Sequence, residues 1–108
     1  MSPALFLAQR LSAAVLAVAV AIHLATIVYA VRGGLTAGEI LGRTRGSEAW
    51  LAFYGLFVVA AAVHAPIGLR NIVREWTRWR GRSLEIAMVT TGLVLLVLGL
   101  RAAWAVYA

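Results

Sequence analysis

Cysteine, lysine and aspartate are all absent from this chain of 108 residues. Without cysteine, no disulfide, no thiolate and no thiolate-held iron–sulfur cluster can belong to the chain alone. Without aspartate, the only carboxylate side chains are Glu39, Glu48, Glu75 and Glu85, and all lie at loops or at the rims of apolar runs. A proton-coupled carrier normally needs a carboxylate at membrane depth, so transport is disfavoured. Histidine occurs only twice, as His23 and His64.

What the chain has in abundance is apolar sequence. Hydrophobic residues make up 63% of it, and the mean hydropathy is +0.91, too apolar for a soluble domain of this length. Two uncharged runs of 21 residues stand out, Leu11 to Val31 and Ala49 to Leu69. Each is long enough to cross a bilayer at about 20 residues per span. A third run starts at Ile86, reaches Leu100 and continues past Arg101. The expected fold is an all-α membrane protein with one membrane domain over 1–108 and transmembrane helices at about 5–31, 48–71 and 85–107. The first run exceeds the roughly 7–15 residues of a signal-peptide core, so it reads as a span and not as a cleaved leader.

All ten basic residues are arginine, and the formal net charge is +6. The arginines flank the apolar runs, so they report topology and not nucleic-acid binding. Arg70, Arg74, Arg78, Arg80 and Arg82 crowd the second loop, and Arg10 belongs to the same side. Arg32, Arg43 and Arg45 occupy the first loop. The bias is six to three, or six to four with Arg101. It predicts a cytoplasmic N-terminus, a cytoplasmic second loop and an external C-terminus.

The first loop, 32–48, is glycine-rich, with room for a short interfacial helix around Thr36–Gly42. The second, 70–85, interleaves Trp76 and Trp79 with its arginines, as suits a headgroup belt or a cytoplasmic docking surface. In the third helix, Gly92 and Gly99 share a face and permit close helix packing. Pro66 removes an amide donor, frees the carbonyl of Ala62 and should bend the second span.

A membrane helix gains nothing from an imidazole unless a partner, a proton or a metal uses it. Haem is the first candidate. Gly68 lies one turn after His64, with Ala60 and Ala61 one turn before, and these small residues should leave a shallow groove for a flat macrocycle. His23 lies 13 residues from Arg10, and His64 six residues from Arg70. At 1.5 Å per residue those depths are roughly 20 Å and roughly 9 Å from the same rim. One iron needs its axial ligands at one depth, so the two histidines should not share a haem. His64 is expected to hold an inner haem whose other ligand comes from another subunit. His23 holds an outer haem in the same way, or only hydrogen-bonds a neighbouring helix.

Two motifs carry a family resemblance. Gln9-Arg10-Leu11-Ser12-Ala13 is similar to a His-Arg-x-Ser/Thr-Gly pattern opening helix one. The string from His64 through Gly68 and Arg70 to Asn71 is similar to a His-x-x-x-Gly-Ile-Arg-His pattern in helix two. With them, the chain resembles, across all three helices, the cytochrome b membrane-anchor subunits of succinate dehydrogenase and fumarate reductase (respiratory complex II). The sequence departs from the family at Phe6, where a quinone-contacting serine is common, and at Gln9, Ala13 and Asn71.

The resemblance implies half of an anchor bundle completed by a second membrane-anchor subunit. It implies an iron–sulfur subunit and a flavoprotein subunit on the cytoplasmic face of a bacterial-type inner membrane. Haem b is implied, one or two copies shared with the partner anchor, with His64 and His23 as iron ligands and Gly68 beside the inner site. Arg10 matches the arginine near the quinone and haem propionates. Arg70 matches the arginine near propionates or lipid phosphates. The expected function is non-catalytic: to anchor the complex and help pass electrons from succinate to membrane quinone. A haem-free anchor or assembly protein, whose histidines only pack, is the alternative.

Overall fold

In the computed structural model, which describes residues 2–108, the chain folds into four helices and no strand. α1 spans Pro3–Gly33, α2 Ala37–Thr44, α3 Glu48–Trp76 and α4 Arg82–Tyr107. α1, α3 and α4 are each long and apolar enough to cross a membrane. The protein is an all-α membrane protein.

The caps are set by sequence. Ser2 accepts the Leu5 amide at 3.2 Å, and Pro3 opens α1, where a missing N–H costs nothing. α1 stops at Gly34, whose φ of 117° is open to glycine but strained for other residues. Thr36 accepts the Glu39 amide at 3.2 Å, and its own hydroxyl donates to the Glu39 carboxylate at 2.6 Å. α2 therefore forms close to the expected place, two residues longer at its end. Ser47 accepts the Trp50 amide at 3.3 Å to start α3.

α2 is latched to the end of α4. The Thr44 hydroxyl donates to the Val106 carbonyl at 2.7 Å, the Gly46 amide to Tyr107 at 2.8 Å and Arg45 Nε to Ala108 at 3.0 Å. The last carbonyls of a helix lack intrahelical partners, and the first loop supplies them here.

α3 runs five residues past the expected end at 71, and α4 starts at Arg82 instead of 85. Charge marks where the membrane core ends. It does not end a helix, since Arg and Glu are good helix formers. Arg70, Arg74 and Trp76 are thus helical, and the true turn is only 77–81. Arg80 fastens that turn, its guanidinium donating to the carbonyls of Thr77, Trp79 and Arg74. α3 continues through Pro66 as helix, and the Ala62 carbonyl, without an amide donor from Pro66, faces Gly92 of α4.

α3 is the central helix, packed on α1 and, more extensively, on α4. Small residues are buried on every span, Ser12 and Ala19 of α1, Ala60 of α3 and Ala103 of α4, together with the larger Ile67 of α3 and Leu84 of α4. Gly92 and Gly99 bring α4 against α3 at Pro66 and Val58. Membrane helices associate through such close approaches, because lipid gives large apolar side chains no reason to turn inward. Even α3, the most enclosed span, has only 17% of its most apolar stretch buried. Most of the bundle surface is therefore exposed in the single chain.

Candidate functional site

α1 and α3 run antiparallel, and the contacts between them fix the register. Gln9 faces Gly68, Ser12 meets His64, and His23 meets Tyr54 and Phe57. From Ser12 to His23 is eleven residues of helix, a rise of roughly 16 Å. The two imidazoles therefore occupy separate levels, and one iron cannot take both.

At the first level, His64 Nδ1 lies 3.3 Å from Ser12 Oγ, and Ser12 Oγ lies 3.1 Å from the Gln9 carbonyl oxygen. Ser12 is 7% exposed and His64 is half-buried. A Cβ on residue 68 would stand 3.4 Å from Gln9 Nε2. The part of the expected shallow groove beside Gly68 is therefore taken by Gln9 and Ser12, while Ala61 on the same stretch of α3 lines an open groove toward α4. The reason is steric. A small-residue face that would admit a macrocycle also admits the neighbouring helix, and α1 takes it. The buried Gln9 Oε1 has no hydrogen-bond partner among the described residues.

Arg10 leaves this face. Two residues from Ser12 turn the helix about 200°, and Arg10 is exposed, its guanidinium carbon 6.0 Å from the Phe6 ring centroid. Arg70 turns to α4, where its Nε donates to Glu85 Oε1 at 2.6 Å. Among the described residues this is the only ion pair, and it ties the cationic end of α3 to the first turn of α4. Glu85 gains there from the helix dipole as well.

The second level is aromatic. His23 stands edge-on to Phe57 at 5.5 Å and to Tyr54 at 6.1 Å between centroids. Trp50 stacks on Tyr54 at 5.6 Å. Trp50, Phe53, Tyr54 and Phe57 recur at helical spacing, so the sequence holds this face. His23 has no hydrogen-bond partner among the described residues. It lines two grooves. One, about 690 Å³, also takes in Thr26, Tyr29, Arg43, Trp50 and Tyr54. The other, about 460 Å³, passes Phe57 and Ala61 to Leu98 and Gly99 of α4. Arg43 reaches the first groove from α2, donating to the Gly34 carbonyl at 2.9 Å with its guanidinium 5.7 Å from the Tyr29 ring.

No group of three or more His, Cys, Asp or Glu side chains is assembled among the described residues. What the chain offers is single imidazoles, one on each level. No family model, no curated protein and no solved structure matches the chain.

Proposed function

We propose that the chain is a haem b-binding membrane anchor of a succinate:quinone oxidoreductase, in a bacterial-type cytoplasmic membrane with its N-terminus on the cytoplasmic side. The observation that carries this reading is the state of His23. A polar group at membrane depth without a partner is costly. This imidazole has no hydrogen-bond partner among the described residues and opens on two grooves with mostly apolar walls.

Porphyrin fills the equatorial positions of its own iron and asks the protein only for axial ligands. That suits a chain whose histidines stand singly at two levels. His64 and His23 would each hold an iron, with the remaining protein ligand supplied by a second anchor subunit. When bound, haem supplies one-electron transfer. Arg10, exposed and without a carboxylate partner among the described residues, offers its charge to quinone oxygens or to propionates. Arg70 shares its guanidinium with Glu85 and has a structural task first. Succinate oxidation and its iron–sulfur relay belong to the flavoprotein and iron–sulfur subunits, and the anchor is not itself catalytic.

The test is a reduced-minus-oxidised spectrum of the purified complex, with pyridine-haemochrome quantitation per copy of this chain. Two haems per copy make both histidines ligands. One haem assigns a single level, which His23→Leu and His64→Leu then identify. A complex with no haem overturns the reading and leaves a haem-free anchor.

A further inference from the structure

Ser12 and His64 decide between them which imidazole nitrogen is left free. Ser12 has one hydroxyl proton and two neighbours within hydrogen-bond distance, the Gln9 carbonyl oxygen at 3.1 Å and His64 Nδ1 at 3.3 Å. The carbonyl can only accept. If Ser12 donated to Nδ1, its oxygen would face the carbonyl oxygen with no proton between them, and Nε2 would carry the ring hydrogen. If Ser12 donates to Gln9, as serines in helices commonly do toward the preceding turn, its oxygen is free to accept from Nδ1–H. Only the second arrangement makes both contacts favourable. Burial sharpens the choice, because Ser12 is 7% exposed and water cannot supply the missing bond.

We infer that Ser12 is a positioning residue that holds His64 in the Nδ1–H tautomer, with the Nε2 lone pair committed to no group on α1 and available to a metal ion. The inference rests on the haem reading for what fills that position, though not for the tautomer itself. Second-sphere hydrogen bonds of this kind fix the ring and raise its basicity as a ligand. The chain Gln9 carbonyl, Ser12 hydroxyl, His64 imidazole is such a relay, with its origin in the α1 backbone. It gives a physical task to a serine on the helix face opposite Arg10.

Two measurements separate this inference from the haem assignment. The first is ¹⁵N NMR of the full chain in bilayers without haem, labelled at the histidine rings. There are only two histidines, so His23→Gln leaves the His64 signals alone. The expected result is a protonated Nδ1 and an unprotonated Nε2, and Ser12→Ala removes that preference while Ser12→Thr keeps it. A protonated Nε2 in the unaltered chain overturns the inference whatever haem does.

The second uses the assembled complex. Ser12→Ala should weaken haem retention roughly 10- to 100-fold and raise the midpoint potential of the His64-linked haem, with Ser12→Thr restoring both. If His64→Leu abolishes that haem while Ser12→Ala leaves retention and potential unchanged, the role of Ser12 falls and the ligand assignment stands. If His64→Leu changes no haem signal, the ligand assignment falls, and the NMR result alone judges Ser12.

Discussion

Gly99 of α4 lies so close to Val58 of α3 that a Cβ on residue 99 would stand 2.5 Å from Val58 Cγ1. No side chain fits at that distance, so the helices are joined at a point where only hydrogen is tolerated. Gly99→Ala should therefore lower the stability of the folded chain by ~1–3 kcal/mol through overpacking. Gly42→Ala is the control, because among the described residues a Cβ there would meet no neighbouring group within 4 Å beyond its own stretch of helix. It should be neutral or stabilising by up to about 1 kcal/mol, as expected for glycine replaced within a helix. Denaturant titration in detergent measures both, and equal effects from the two substitutions would refute the close approach.

The Arg70–Glu85 pair should contribute little to stability despite its 2.6 Å contact. Glu85 is 48% exposed, so solvent and salt screen the attraction. A double-mutant cycle with Arg70→Ala and Glu85→Gln should give a coupling of about 0–1 kcal/mol, weakening as salt is raised. A coupling of several kcal/mol, insensitive to salt, would place the pair in a desolvated setting.

His23→Leu separates ligation from packing. The imidazole makes edge contacts with Tyr54 and Phe57 and has no hydrogen bond to lose among the described residues. Thermal stability of the chain without haem should change by less than about 1 kcal/mol, as for a swap of similar shape. The haem content of the complex should fall. Unfolding without loss of haem would make His23 structural and leave the larger groove without its ligand.

Arg10→Ala should slow succinate–quinone turnover roughly 10-fold or more, as loss of one charged stabilising group does, while succinate oxidation by a soluble dye is retained. Arg10 is exposed and makes no ion pair among the described residues, so its removal should not disturb the bundle. Equal loss of both activities would trace the defect to assembly.

The spans were legible because twenty-residue apolar runs have one common physical solution, a helix that satisfies its own backbone in lipid. Thr36 marked α2, and Gly92 with Gly99 marked the α4 seam. Helix ends were less legible, because the arginines of the second loop signal the membrane boundary while still favouring helix. The surroundings of His64 were only partly legible, for a different reason. Small residues at 60, 61 and 68 state that something approaches closely, but not whether it is a macrocycle or a helix. Ser12 and Gln9, 52 and more residues away in sequence, answer that only once α1 and α3 are in register. Glu85 was hidden likewise, since its partner Arg70 sits across a turn whose length depended on where α3 ends. The aromatic face of Trp50, Phe53, Tyr54 and Phe57 was open to view as a spacing, yet its meaning needed His23 beside it.

The latch between α2 and α4 has a consequence for the order in which the protein is made. Thr44 is held by the carbonyl of Val106, 62 residues further along the chain. A ribosome delivers α1, α2 and α3 well before that carbonyl exists. Until α4 arrives, α2 lacks these three bonds, and Arg43 ties it only to earlier sequence, through Gly34 and Tyr29. The first loop is therefore joined to the far end of the bundle only once the last turn of α4 is in place.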